Sequence, residues 1–452
     1  MKLTASLSAL LAVGVQQSFA SLQGLRNVVY FDQYHTTTLP PKDVTAGITH
    51  VIMAFASSSL FIGNTSGPYT PFMPVNDVRA MFDANVKVGI AIGGWGDTAG
   101  FSAGAKTDAS RLEFALKVAA MANNNTFDFV DVDWEFPGGN GADYKQIPNS
   151  QKTDEIESFP KLLSAIKTAL GDKLLSVAVP ANENDMIAYT PEQAPKIFEA
   201  VQMVNLMSYD MMTRRSTTTL HHTDVRGSLA AVDRYISLGL DPAKLNLGIA
   251  FYAKYFETPA NSTCDTYPIG CPIVKAENDD GSDAGTSAAV TFETVTTPTN
   301  LTTSTDGSCG KGTFFTCKDD AGNECCSQYG YCGSTAAHCG AGCQADYSVG
   351  CTGIQPQVSF AKALKEGKYD VERGGAWYHD AEQHLFWTWD TAVIITRKFH
   401  DIIAARRLGG VMAWSLAEDS ADWSHIKAIQ QGVKDADASS SPRVRRKARR
   451  EI

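Results

Sequence analysis

The run FDFVDVDWEFP at residues 127–137 sets Asp131, Asp133 and Glu135 at alternate positions, with Val132 and Trp134 between them. Along a strand successive side chains point to opposite faces, so the three carboxyls share one face. Like charges held this close cannot all ionise. At least one pKa must rise, which is how a carboxyl becomes a general acid near neutral pH. The bland alternatives are a solvated edge or a metal-binding acidic strand. Apolar Phe127, Phe129, Val130 and Val132 argue against the edge, and no histidine stands nearby to complete a transition-metal site. Neither a metal nor a cofactor is expected.

Working outward, this run is the fourth of eight short β-rich stretches: NVVYF at 27, THVIMAFA at 49, KVGIAIGG at 87, FDFVDVDWEF at 127, LLSVAVP at 174, VQMVNLMSYD at 201, LNLGIAFY at 245 and GGVMAWSL at 409. Helical patterns lie between many of them, such as ASRLEFALKVAAMA from Ala109 and SFPKLLSAIKTAL from Ser158, with apolar residues three and four apart. Alternating strands and helices imply parallel pairing, and eight such units close into a (β/α)8 TIM barrel of the α/β class. The carboxyl face then points into the barrel at its C-terminal mouth, where such folds place their active sites. A doubly wound open sheet is the competing fold.

The chain has 452 residues, 44% hydrophobic and 19% charged, with a net charge of −10. That is a globular composition, long enough for a barrel of about 250 residues plus additions. The acidic balance argues against a nucleic-acid partner. Lys2, the apolar stretch from Leu7 to Val15 and small Ser18 and Ala20 read as a cleavable secretory signal, too short to span a bilayer. A secreted, membrane-free monomer, extracellular or in the cell wall, is expected. All ten cysteines lie between Cys264 and Cys351, and an even count in such a window behind an export signal reads as a disulfide framework. Around them TVTTPTNLTTSTDG at 294–307 reads as an exposed Thr-rich spacer. Glycosylation sequons stand at Asn64, Asn124, Asn261 and Asn300. From Asp437 the chain turns basic and should be disordered.

The string at 127–137 resembles the DGxDxDxE signature of family-18 glycoside hydrolases, the chitinases and their relatives. AIGGW at 91, MSYD at 207, GIAFYAKYF at 248 and GGVMAWSLAED at 409 agree with that family in order, as do YF at 30 and AF at 54. The resemblance implies that Glu135 protonates the glycosidic oxygen and that the substrate's own acetamido oxygen attacks the sugar, with retention, an exception to the two-carboxylate scheme. It implies that Asp133 orients the acetamide, that Asp131 shares a proton behind it, and that Tyr209 hydrogen-bonds the acetamido oxygen. Asp210 contacts the sugar near the cleaved bond, Trp414 forms the floor under the bent ring, and Tyr30 meets the Asp131 side. Phe55, Gly93, Gly94, Trp95 and Met207 complete the implied substrate contacts, with chitin and N-acetylglucosamine oligomers as ligands. Non-proline cis peptides are implied at Ala54–Phe55, Glu135–Phe136 and Trp414–Ser415. Two residues depart from the pattern. The signature glycine is Phe129, which by parity points inward and must be absorbed by smaller neighbours; the serine that helps hold the innermost aspartate is Ala91.

Between Cys309 and Cys351 the core CCSQYGYCG resembles a hevein-type chitin-binding domain. That resemblance implies the bridges Cys309–Cys326, Cys317–Cys332, Cys325–Cys339 and Cys343–Cys351, leaving Cys264 and Cys271 to pair, and sugar contacts at Ser327, Tyr329, Tyr331 and His338. The chain then divides into a signal (1–20), barrel strands one to seven (21–256), insert and spacer (257–306), the module (307–353), the rest of the insert with strand eight (354–434) and a basic tail (435–452). Three functions compete: a chitinase, a non-catalytic chitin lectin, and an endo-N-acetylglucosaminidase on N-glycans. The lectin normally lacks the acid, which Glu135 supplies, and the N-glycan enzyme has no reason to carry a chitin-grasping module.

Overall fold

The computed structural model describes residues 24–63, 68–262, 264, 268–292, 300–311, 313–327, 329–340 and 342–440. The signal, the Asn64 sequon, residues 294–299 of the spacer and residues 441–452 of the tail lie outside the described residues.

Seven strands, β1 (Arg26–Asp32), β2 (His50–Ala56), β3 (Lys87–Gly93), β4 (Phe129–Asp133), β5 (Leu174–Pro180), β6 (Met203–Met207) and β7 (Leu245–Ala250), arrive in chain order as the alternating runs require. A long insert then supplies β8 (Tyr252–Glu257), β9 (Ser287–Thr291), β10 (Lys368–Asp370), β11 (Gly375–Asp380) and β12 (Leu385–Trp389) before β13 (Gly410–Trp414) returns. Strands β1 to β7 and β13 close into one barrel, β13 lying between β7 and β1, and every pairing in it is parallel. The eight-stranded TIM barrel is therefore present, with the cystine-rich module between its seventh and eighth strands.

Parity sorts the side chains. On β4, Val130 and Val132 pack outward into the large core shared with the helices, while Phe129 joins Val28, Ile52, Ala91 and Met412 inside the barrel. The helix Asp108–Asn124 helps cover the outside and starts at Thr107, whose hydroxyl accepts from the Ser110 amide in a capping box. The helix Thr153–Leu170 begins five residues before the Ser158 pattern and carries Pro160 within it.

Three expected boundaries shift. The barrel's seventh strand stops at Ala250, inside the 245–252 run, so the barrel segment drawn to residue 256 takes in residues beyond that strand. Tyr252–Glu257 instead opens an antiparallel sheet in the order β10–β11–β12–β8–β9. Residues 300–307 of the spacer are not free of the module: Thr302–Thr303 pair with Phe315–Thr316 and Leu301 packs on its cystines, so a segment too polar for its own core borrows one. The closing helix, Ser424–Ser440, takes in residues 435–440 that were assigned to the tail. The disulfides are Cys309–Cys326, Cys317–Cys332, Cys325–Cys339 and Cys343–Cys351, the four pairs that the hevein resemblance implies, and Cys264–Cys271, the pair left over.

Candidate active site

At the barrel's C-terminal mouth the β4 carboxyls form a ladder graded in depth. Asp131 is fully buried: its Oδ2 accepts from the Tyr30 hydroxyl at 2.7 Å, and its Oδ1 accepts from the Ser176 hydroxyl at 2.5 Å and the Asn205 amide at 3.1 Å. Register explains the company, since Ser176 sits directly beside Asp131 on β5. The hydroxyl missing at Ala91 on one flank of β4 is thus met by Ser176 on the other. Burial raises the Asp131 pKa against the pull of these three donors. One step up, Asp133 is buried and its Oδ1 has no protein hydrogen-bond partner. Burial, Glu135 and Asp131, in that order, hold its pKa well above the usual carboxylate range. Glu135, half-buried at the top, is pushed up to about 8 by burial and by the charges of Asp210 and Asp185.

The packing problem posed by Phe129 is solved across the strand pair. A methyl group at Gly89 on β3 would lie 2.6 Å from the Phe129 ring, so glycine there opens the space the ring fills. His50 meets the same ring edge-on at 5.6 Å.

The other implied residues converge on the mouth. Trp414 stacks on Phe55 at 5.5 Å and lies 5.4 Å from Tyr30. The peptides Ala54–Phe55, Glu135–Phe136 and Trp414–Ser415 are cis. Gly93 and Gly94 both have positive φ. A Cβ on Gly93 would strike the Asp133 carbonyl, to which the Gly94 amide donates at 2.8 Å. Tyr209 is buried, and its hydroxyl donates to the weak acceptor Met412 Sδ at 3.7 Å. Asp210 is drawn below the usual range: burial opposes ionisation, but Lys254 and His222 overcome it, with Lys254 Nζ at 3.0 Å and the Tyr252 hydroxyl donating at 2.9 Å.

Two hollows of about 840 Å³ each meet here, sharing Trp95, Glu135, Met207, Tyr209, Asp210 and Lys254. They amount to one long groove that crosses the barrel mouth, with Glu135 at its middle. One half holds Tyr30, Tyr34, Phe55, Tyr252 and Trp414; the other holds Tyr144, Arg214, Arg215, Asp185 and Glu277. Aromatic faces fit the C–H faces of pyranose rings. Ser327, Tyr329, Tyr331 and His338 stand apart from the groove in the cystine-rich module. There Tyr329 and Tyr331 are 77% and 61% exposed, Ser327 is buried and accepts from the Tyr331 amide, and the half-buried His338 ring covers Gly333.

Motif reading missed Ser176, Asn205, Tyr252, Lys254, Arg215 and Glu277. Parity could have found the first two, as polar residues on the inward faces of β5 and β6. The others come from loops and from the insert, where no local period marks them.

Residues 26–419 match the family model described as glycosyl hydrolases family 18. Among curated proteins, Chitinase 1 of Aphanocladium album is 28% identical over 274 residues, 52% of this chain and 62% of that protein. This chain therefore spans somewhat less than two thirds of that relative. Among solved structures, the catalytic domain 2 of Ostrinia furnacalis Group II chitinase superposes with a TM-score of 0.62 at 17% identity, covering 91% of this chain and 97% of that one. The family-18 chitinase of Cycas revoluta in complex with (GlcNAc)3 superposes with a TM-score of 0.59 at 19% identity, covering 90% and 99%. At these identities the two structures attest the fold.

Proposed function

The chain belongs to family 18 of the glycosyl hydrolases, and from that premise we propose that it is a secreted chitinase that cleaves β-1,4 N-acetylglucosamine linkages with retention. Glu135 gives its proton to the glycosidic oxygen as the bond to C1 breaks. The acetamido oxygen of the same sugar takes the place of an enzymic nucleophile and closes an oxazolinium ring. Asp133 accepts the acetamide N–H at Oδ1, which has no hydrogen-bond partner among the described residues, and as positive charge grows its own proton passes to Asp131 behind it. Tyr209 donates to the acetamido oxygen, and Trp414 supports the ring from below. Water then attacks C1 as the oxazolinium C1–O bond breaks and its electron pair returns to the acetamide, the water's proton passes to Glu135, and the configuration at C1 is kept.

The single observation that carries this reading is the graded ladder: a carboxyl that lines the groove, one rung above a buried carboxyl whose Oδ1 has no hydrogen-bond partner among the described residues. Chitin capture by the module is part of the proposal, supported by its two exposed tyrosines. An export route fits the five disulfides. No described helix is long and apolar enough to cross a membrane.

Glu135→Gln should cut release of soluble sugars from chitin by about 10²–10⁴-fold, the usual share of a general acid, and leave sedimentation with chitin unchanged. Normal turnover by that variant would assign the acid elsewhere. Wild-type binding without turnover would favour the lectin, and release of glycans from glycoproteins alone would favour the endoglycosidase.

A further inference from the structure

The half of the groove that lacks Trp414 is built unlike its counterpart. Trp414 marks the side of the sugar whose C1 is attacked, so the far half receives the leaving group, a placement that rests on the function proposed above. Besides the shared residues, its aromatic rings are Phe136, which is buried, and Tyr144, whose face is covered by the Arg215 guanidinium at 3.8 Å from the ring centre.

Three connections that are remote in sequence meet at that pair. Tyr144 follows β4, Arg215 follows β6, and Glu277 comes from the insert that leaves the barrel after β7. The Tyr144 hydroxyl donates to Glu277 Oε1, and Arg215 Nε lies 3.7 Å from Glu277 Oε2. Arg215 Nη1 donates to the Asn140 carbonyl at 3.0 Å and Nη2 to the Gly141 carbonyl at 3.2 Å. Two guanidinium nitrogens therefore donate to backbone carbonyls, the third faces the Glu277 carboxylate, and one face rests on a ring. Arg215 also lines the hollow.

We propose that Arg215, laid flat on Tyr144 and braced by Glu277, is the platform on which this protein seats the leaving-group or acceptor sugar, and that the insert thereby completes the groove. A planar cation held at its edge by two carbonyls and a carboxylate can receive a ligand by stacking, and the planar acetamide of N-acetylglucosamine is the matching surface. Because it is polar and partly wet, this half should hold a sugar less firmly than the aromatic half does.

Transfer to a second sugar is the most direct readout, because cleavage seats a leaving group in this hollow on both routes, and only afterwards does transfer need an acceptor there where hydrolysis needs water. The acceptor hydroxyl attacks C1, the C1–O bond of the oxazolinium breaks with its electron pair returning to the acetamide, and the hydroxyl proton passes to Glu135. With concentrated N-acetylglucosamine tetramer as substrate, the ratio of elongated products to hydrolysis products is measured for wild type, Arg215→Ala, Arg215→Gln and Tyr144→Leu. Arg215→Ala and Tyr144→Leu should lower the ratio about three- to tenfold, and Arg215→Gln, which keeps a flat amide, should fall between them and wild type. Folding is checked by melting temperature. Ratios within 1.5-fold of wild type for both Arg215→Ala and Tyr144→Leu, in variants that still turn over the tetramer, overturn the platform alone. Wild-type protein that turns over no oligomer overturns the platform and the chitinase reading together.

Discussion

The barrel and the cystine-rich module both set out aromatic rings, by opposite means. In the barrel, Tyr30 and Tyr209 are buried beside carboxyls and belong to a core that extends through eight strands. In the module the buried cluster amounts to Cys309, Cys317, Cys326 and Tyr347, with Leu301 and Cys332 against it, and the rings of Tyr329 and Tyr331 face solvent. Size decides the means: a long chain buries enough apolar surface to hold charged groups in place, whereas about forty residues must rely on cross-links. Environment decides the use. A ring packed against a buried carboxyl can take part in proton chemistry, while a ring on an exposed turn has a face to stack and nothing beside it to react.

Breaking the cross-links separates the two regions most sharply. Replacing Cys317 and Cys332 together with alanine removes a bond worth about 2–4 kcal/mol from a module with little core to compensate. Retention on crystalline chitin should fall at least about tenfold, and turnover of the solid with it, because a tethered binder raises the local substrate concentration. Turnover of soluble tetramer should stay within about twofold. Equal loss on both substrates would mean that the module shapes the groove and that the division drawn here is wrong.

Proton dependence separates them next. Glu135 works as an acid only while protonated, so the rate on soluble oligomers should fall about tenfold per unit once the pH passes about 8, with chitin retention by the module level across that range. Stability carries the same signature. The folded pKa lies above the ordinary 4.5, so the contribution is fully present below that value and is lost as the pH rises towards about 8. Glu135→Gln should therefore melt with wild type near pH 4 and several degrees above it at pH 8. Parallel melting curves at both pH values would show that the acid is not held neutral by the fold.

The inward ladder on β4 was legible because strand parity is a local rule, and the same rule placed Phe129 inside. It did not say what would yield. The answer, Gly89, lies on the neighbouring strand in the register that pairs Gly89 with Phe129, and pairing register is a long-range property. Asn205 and Ser176 were within reach of parity, since each occupies an inward position among apolar residues. Lys254 and Glu277 were not. They reach the site through the insert, and β8 was read as a continuation of β7 because the chain shows no turn residue between Ala250 and Tyr252. Gly89→Ala tests the register directly: the added methyl should cost about 1–3 kcal/mol by overpacking, and Phe129→Leu in the same chain should restore much of it. Additive losses would mean that the two residues do not share the space.

The smallest effect belongs to a single exposed ring. Tyr329 is 77% exposed, so removing it takes away a contact surface without disturbing a core, and the fold should not register the change. Tyr331, at 61% exposure, remains as a second surface, with Ser327 held beneath it by its bond to the Tyr331 amide. Tyr329→Ala should therefore weaken adsorption to chitin only about threefold, the order expected for one aromatic contact, and Tyr329→Trp should strengthen it by enlarging the face. Adsorption isotherms on the inactive Glu135→Gln background measure this without depleting the solid. Unchanged adsorption by Tyr329→Ala, or equal weakening by Trp and Ala, would move the binding face off this turn and leave the barrel's groove as the site that grips the polymer.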